Sequence, residues 1–229
     1  VLSVLFDSNQ SGFLAGAAAA YYTESENGNA DKVIGFVGGT ESSTVNNFLV
    51  GYAEGAKYVD PEIKVLTAYV GDFLDTAKAK DLANAQISEG ADVVFQVAGA
   101  AGNGVIEAAA EKEGAVAIGV DSDQYAALEG SDLQQAVMTS SLKMLNNAIF
   151  KICSDYAEDP DSVPFGSVVN YGLEEDAVGI VFNDHLTECI GEENVQNVKD
   201  ILSKIQSGEI KVSDVSELSD DELSAIVNG

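Results

Sequence analysis

The sequence predicts an α/β fold built on a doubly wound parallel sheet, and three observations predict it. Between residues 33 and 120, short apolar runs alternate with amphipathic segments, and the connections are short, as in successive βαβ units. The apolar runs are continuous rather than alternating, as in strands covered on both faces. Each run also ends in small and polar residues: GGT after Val37, GDF after Val70, GAAG after Ala98 and DSDQ after Val120. In an open α/β sheet, ligands bind outside the carboxyl ends of the strands. That line of strand ends is the predicted site.

Taken in order, residues 1–6 (VLSVLF) read as a strand and 7–11 as a polar turn. Residues 12–25 are small and apolar on nearly all sides, which predicts a well-buried helix, and 26–31 read as an exposed loop. A strand over 33–37 follows. Val45, Phe48, Leu49, Tyr52 and Ala56 then keep the i, i+3, i+4, i+7 spacing of an amphipathic helix, which Asp60-Pro61 ends. Residues 64–70 are the next strand, and Ala79, Leu82, Ala83 and Ile87 mark a helix stopped by Gly90. Residues 93–98 are a strand, 103–113 a helix stopped by Gly114, and 116–120 the fourth strand, read as the last of the parallel set. Beyond it the pattern is less regular. Residues 139–156 read as a long helix with Leu142, Leu145, Ile149 and Ile152 inside. Residues 166–171 and 178–182 read as a strand pair joined by the 172–177 loop. Residues 194–205 read as a helix closed by Gly208, and Ser219 with Glu222 forms a capping box for a last short helix.

Composition narrows the function. With 46% apolar residues the chain is globular. Its formal charge of −27, from 38 acidic and 11 basic residues, repels nucleic acid and anionic membrane surfaces and disfavours a multiply phosphorylated ligand. Cys153 and Cys189 have no CxxC spacing and too few companions for a metal site; they read as a disulfide or as two buried thiols. No apolar run has membrane-spanning length. The chain opens at Val1 inside a strand with no cap or turn before it, which predicts that further chain precedes it. No cofactor and no metal are expected.

No nucleophile elbow, metalloprotease helix or phosphate loop is present. The single histidine, His185, reads as a surface residue. Gly99, Gly102 and Gly104 do not make the dinucleotide fingerprint; they read as a tight turn into a helix N-terminus, which can also receive a ligand oxygen. Asp121 and Asp123 read as turn residues or as ligand contacts. A carboxylate there suits two adjacent hydroxyls, such as a sugar diol. Phe73 reads as an aromatic that stacks on a flat ring, or as a loop residue folded back on the protein. Lys143, in the first turns of the predicted long helix, reads as a surface lysine, as the partner of a crevice carboxylate, or as a ligand contact.

Several of these stretches resemble the basic membrane protein family of extracytoplasmic lipoproteins. They are IGFVGG (34–39), the Phe48 to Ala56 run, YVGDF (69–73), GADVVFQVAGAAGNGV (90–105), AIGVDSDQ (117–124) and Ser140-Ser141-Leu142-Lys143. The resemblance runs from Phe13 to about Gly179. It implies a type I periplasmic-binding-protein-like fold, with parallel doubly wound sheets in two lobes, a hinge and a cleft, and an N-terminal lobe that is truncated here. On that basis residues 1–31 are a remnant of the N-terminal lobe and 32–124 the main βαβ lobe. Residues 125–164 cross the hinge and return a helix to the first lobe, 165–193 are return strands of the main lobe, and 194–229 are C-terminal helices. The resemblance implies a solute-binding protein, not an enzyme, whose partners are a nucleoside ligand and the permease of an ABC importer. It also implies attachment to the cell membrane only through a lipid anchor outside this chain. At the site it implies a purine ring on Phe73, ribose hydroxyls on Asp121 with Asp123 in support, Lys143 in the same cleft, and backbone contacts near Gly99. The sequence departs from the family in having DSNQS (7–11) where a glutamate usually precedes the FLAG helix, and Gly99-Ala100 in place of a glycine pair. Two other readings compete. One is a ligand-sensing regulatory module of the same fold. The other is an α/β enzyme such as a nucleoside hydrolase, for which Asp121 and Asp123 are the only acidic pair at a strand end.

Overall fold

A computed structural model describes residues 1–229. Strand β1 (Ser3–Phe6) leads through Asp7 into helix α1 (Ser8–Thr23), so the expected polar turn at 7–11 is the first turn of the helix. Ser8, Asn9 and Ser11 are buried there. Their polarity hid the helix start, because Ser11 Oγ is satisfied locally by the Ser8 carbonyl at 3.1 Å. Strand β2 (Val33–Gly38) and helix α2 (Ser43–Val59) follow as predicted, with the Ser42 side chain accepting from Val45 N at the helix start. Helices α1 and α2 pack backbone to backbone: a Cβ at Gly16 would overlap the Tyr52 carbonyl, and one at Gly55 the Phe13 carbonyl. The small residues of α1 thus exist for this contact.

Strand β3 (Lys64–Tyr69), helix α3 (Thr76–Ser88), strand β4 (Val93–Val97), helix α4 (Asn103–Ala110) and strand β5 (Val116–Asp121) complete the regular half. A 3-10 turn at Gly99–Gly102 joins β4 to α4. One sheet face, with Phe36, Phe95 and Ile118, packs under α1 and α2, where the rings of Phe36, Phe48, Tyr52 and Phe95 interlock at 5.2–6.3 Å. The other face, with Val37, Val94 and Ala117, is covered by Ala79, Ala83, Val105 and Ile106 of α3 and α4. This is the doubly wound arrangement.

The second half corrects three expectations. After the short helix α5 (Gln124–Ala127), residues 139–143 are not helical but belong to strand β6 (Val137–Lys143), and helix α6 (Leu145–Glu158) begins only after Met144. The segment Val137 to Ser141 is fully buried, and its hydroxyls find partners: Thr139 Oγ1 donates to Val181 O at 2.7 Å and Ser141 Oγ to Ser11 Oγ at 2.9 Å. Satisfied hydroxyls let a polar run serve as a central strand. Leu145 and Ile149, expected inside, are exposed instead. Second, β5 is not the last strand of the parallel set. The six-stranded order is β3-β2-β4-β5-β6-β8, with β6 parallel to β5 and β8 (Val178–Ile180) antiparallel to β6. Third, β7 (Val168–Tyr171) does not pair with β8; it pairs in parallel with β1 in a separate two-stranded sheet, from Ser3↔Val168 to Phe6↔Tyr171. Both runs are strands as read, but their adjacency in sequence carries no information about the partner.

Helices α7 (Asp184–Ile190), α8 (Glu192–Gln206) and α9 (Asp220–Asn228) close the chain, and the predicted Ser219–Glu222 capping box starts α9. The chain passes between the two sheets three times: from β1 into α1, after β6, and from β7 to β8. These crossings lie side by side. Asp7 N donates to Tyr171 O at 3.0 Å, and Met144 N to Ala177 O at 2.8 Å.

Candidate functional site

The sheet order puts the carboxyl ends of β3, β2, β4, β5 and β6 in one row. Phe73 follows β3, Gly38-Gly39 end β2, Gly99 follows β4, Asp121 ends β5 and Lys143 ends β6. Four of the five predicted site residues therefore lie along one edge, in the order Phe73, Gly99, Asp121, Lys143.

Phe73 is neither folded into the core nor free. Its side chain leans across β2, where a Cβ on Gly39 would overlap its ring, and reaches β4, where a Cβ on Gly99 would lie 3.4 Å from its own Cβ. Its carbonyl accepts from Ala101 N at 3.0 Å, which ties it to the β4 turn. The residue remains 42% exposed. An aromatic this exposed, carried on two glycine-bearing strand ends, presents a surface to an incoming flat group. Gly99 follows β4 and Asp121 ends β5, and these two strands are paired neighbours in the sheet.

Asp121 is exposed and has a left-handed backbone, φ +67°. Ser122 N donates to Val120 O at 2.8 Å and closes a γ-turn around it. Asp123, by contrast, is occupied: its Oδ1 accepts from Ala126 N at 3.0 Å and caps α5. Asp72, one residue from Phe73, accepts from the N–H groups of Leu74 and Asp75 at 2.7 and 2.8 Å, which hold its carboxyl below the usual range.

Lys143 sits at a strand end and not, as expected, in a helix. Its Nζ lies 4.9 Å from the Phe6 ring centroid, a cation–π contact across the crossing segments. It lines a cavity of about 230 Å³ together with Ser43 and Thr44 at the start of α2, Asn170 and Asp214. The sequence reading missed these four, because they are polar residues at helix and strand ends with no periodic signal. It also missed Gln96 and Gln124. Gln96 did carry a signal, as a fully buried amide in the middle of the apolar run VVFQV. His185 corrects a further expectation. Only 10% of its side chain is exposed, since it stacks on Tyr125 at 4.8 Å and Nε2 lies 3.2 Å from Gln135 O. The two cysteines are unpaired, Cys153 exposed and Cys189 buried, and burial pushes the Cys189 thiol up to about 11. No helix is long and apolar enough to cross a membrane.

The family model described as ABC transporter substrate-binding protein PnrA-like matches residues 1–216. Basic membrane protein D of Borreliella burgdorferi is 34% identical over 213 residues, 93% of this chain and 59% of that protein. The ABC transporter nucleoside-binding protein BmpA of Lactococcus lactis is 34% identical over 219 residues, 90% of this chain and 57% of that protein. The chain thus spans about three fifths of the length of these relatives. Among solved structures, an ABC transporter solute-binding protein of Aeropyrum pernix superposes with a TM-score of 0.78 at 22% identity, over 99% of this chain and 71% of that one. A second, from Conexibacter woesei, gives 0.71 at 20% identity, over 93% and 66%. Both share the fold. On the match over residues 1–216, the chain belongs to the PnrA-like family of ABC transporter substrate-binding proteins, the basic membrane protein family.

Proposed function

We propose that this protein captures a nucleoside with a purine base outside the cytoplasm and delivers it to the permease of an ABC importer. Capture takes place by closure of two lobes about the three chain crossings, and no bond is made or broken. The observation that carries the reading is the pairing of Phe73 with Asp121. A half-exposed aromatic reaches the β4 end, and one strand further on a carboxylate is held outward in a left-handed turn. An aromatic surface suits the base, and a carboxylate that accepts two hydrogen bonds suits the vicinal hydroxyls of ribose. Gly99 leaves the backbone open to the ligand between them. Lys143, within reach of Phe6 and the crossings, contacts the ligand or its carboxylate neighbour when the lobes close. Asp123 acts indirectly, by capping the helix that follows the turn. The nucleoside-binding relative from Lactococcus lactis supports the ligand class. A charge of −27 favours an uncharged nucleoside over a nucleotide.

Isothermal titration of the full-length protein with inosine, guanosine, adenosine and ribose tests this. The reading predicts binding of at least one purine nucleoside and far weaker binding of ribose alone. Heat from ribose or another sugar with none from any nucleoside would replace the ligand class.

A further inference from the structure

Two neighbouring strand ends have left-handed backbone, Gly99 at φ +58° and Asp121 at φ +67°. Glycine adopts it freely; a residue with a Cβ does so only where its surroundings hold it there. Asp121 pairs with Leu142 of β6, and two glutamines brace the residue before it. Gln124 Oε1 accepts from Val120 N at 2.9 Å, the residue that opens the γ-turn. The same oxygen accepts from Gln96 Nε2 at 2.6 Å. Gln96 is fully buried, and its own Oε1 accepts from Ala98 N at 3.2 Å, the residue before Gly99. Gln124 N donates to Ser140 Oγ at 3.1 Å, which fastens the bridge to β6. Space for the two amides is reserved: a Cβ at Gly102 would overlap the Gln96 amide, and one at Gly119 would lie 2.5 Å from both Gln124 Oε1 and Ser140 Oγ. The amide orientations are fixed by these partners, since one oxygen of Gln124 faces two donors.

We infer that Gln96 and Gln124 are positioning residues: a single amide bridge, rooted in the buried Gln96, sets both left-handed strand ends, so that Gly99 and Asp121 stand ready for ligand as one unit. The inference rests on Asp121 being a ligand contact. Neither glutamine needs to touch the ligand. The bridge acts through the Val120 and Ala98 amides, and its work is done before ligand arrives.

The experiment combines amide hydrogen exchange without ligand and calorimetry with inosine, on the full-length protein. Gln124→Met removes the acceptor at nearly constant volume. Gln124→Glu keeps an oxygen for both donors. Q124M is expected to speed Ser122 exchange at least tenfold while the Phe95 amide in β4 keeps its rate, and to weaken inosine at least tenfold. Q124E is expected to stay within threefold on both readouts. In an Asp121→Ala background, Q124M should weaken inosine by a clearly smaller factor than it does with Asp121 present, since one of the two strand ends it positions is then no longer a ligand contact. Unchanged Ser122 exchange in Q124M overturns the inference, as does an affinity loss of equal size with and without Asp121. Where Q124M does not fold, Gln96→Met takes its place, with tenfold faster Ala98 exchange expected and an unchanged rate contradicting. If the unsubstituted protein does not bind inosine, the nucleoside reading falls and the exchange arm alone decides the positioning role.

Discussion

Asp121 pairs a carboxylate with a backbone conformation that L-residues with a Cβ seldom adopt, and such outliers point to function when the surroundings enforce them. Asp92 shows the opposite use of a carboxylate. It is 2% exposed at the start of β4, and its Oδ2 accepts from Asn29 N at 2.9 Å, which pins the loop before β2. Burial outweighs the hydrogen bonds to its carboxyl and raises its pKa above the ordinary value of 3.8. The folded state therefore keeps this proton to higher pH than the unfolded state. The contribution of Asp92 to stability falls as pH rises from about 3.8 through the raised value, and is constant above it. Asp92→Asn keeps an oxygen for Asn29 N and removes the titration. Thermal melting should show the difference between D92N and the unsubstituted protein moving in favour of D92N between pH 4 and 7; a pH-independent difference would contradict the assignment. At this scale the places of Phe73 and Asp121 at strand ends were legible in the sequence, because the apolar runs before them stop abruptly. Gln96 and Gln124 were not read as a pair, since 28 residues separate them and only the parallel pairing of β4 and β5 brings them together.

Elements were legible wherever period and terminators agreed, as in β2 through β5. They failed at β6, where Thr139, Ser140 and Ser141 break the apolar signal and Leu142, Leu145, Ile149 and Ile152 mimic a helical stripe. The partner of β7 was illegible because pairing is a tertiary choice. Helix α6 is the informative case. Leu145, Ile149 and Phe150 are exposed, and Phe165 and Val168 extend the same apolar character into β7. Cys153 lies on α6 and is exposed, whereas Cys189 lies buried on α7. Iodoacetamide at neutral pH should label Cys153 alone in the native protein and both thiols in denaturant. Rapid native labelling of Cys189 would contradict the packing of α7, because burial holds that thiol protonated with a pKa of about 11.

At the scale of the whole molecule the dominant fact is charge. Thirty-eight carboxylates against eleven basic side chains repel one another across the surface, and only a few are paired, as in Lys32 with Asp60 and Glu62 and Lys80 with Glu107 and Glu111. Self-repulsion destabilises the folded state, and salt screens it over a Debye length of about 10 Å at 0.1 M and about 3 Å at 1 M. The melting temperature should therefore rise as NaCl goes from 0.05 to 1 M, on the order of several degrees; a fall would show that paired charges outweigh unpaired ones. The same field acts on ligands, and under the proposed function it favours a neutral nucleoside over its phosphate. The central claim is that Phe73 and Asp121 form the two contacts of that row. The most direct measurement is the dissociation constant of inosine for the full-length protein and for Asp121→Ala, determined by titration calorimetry on samples with matched melting temperatures. Loss of a charge-assisted hydrogen bond to the diol predicts weakening of about ten- to a hundredfold; an affinity within threefold of the unsubstituted protein would contradict the account.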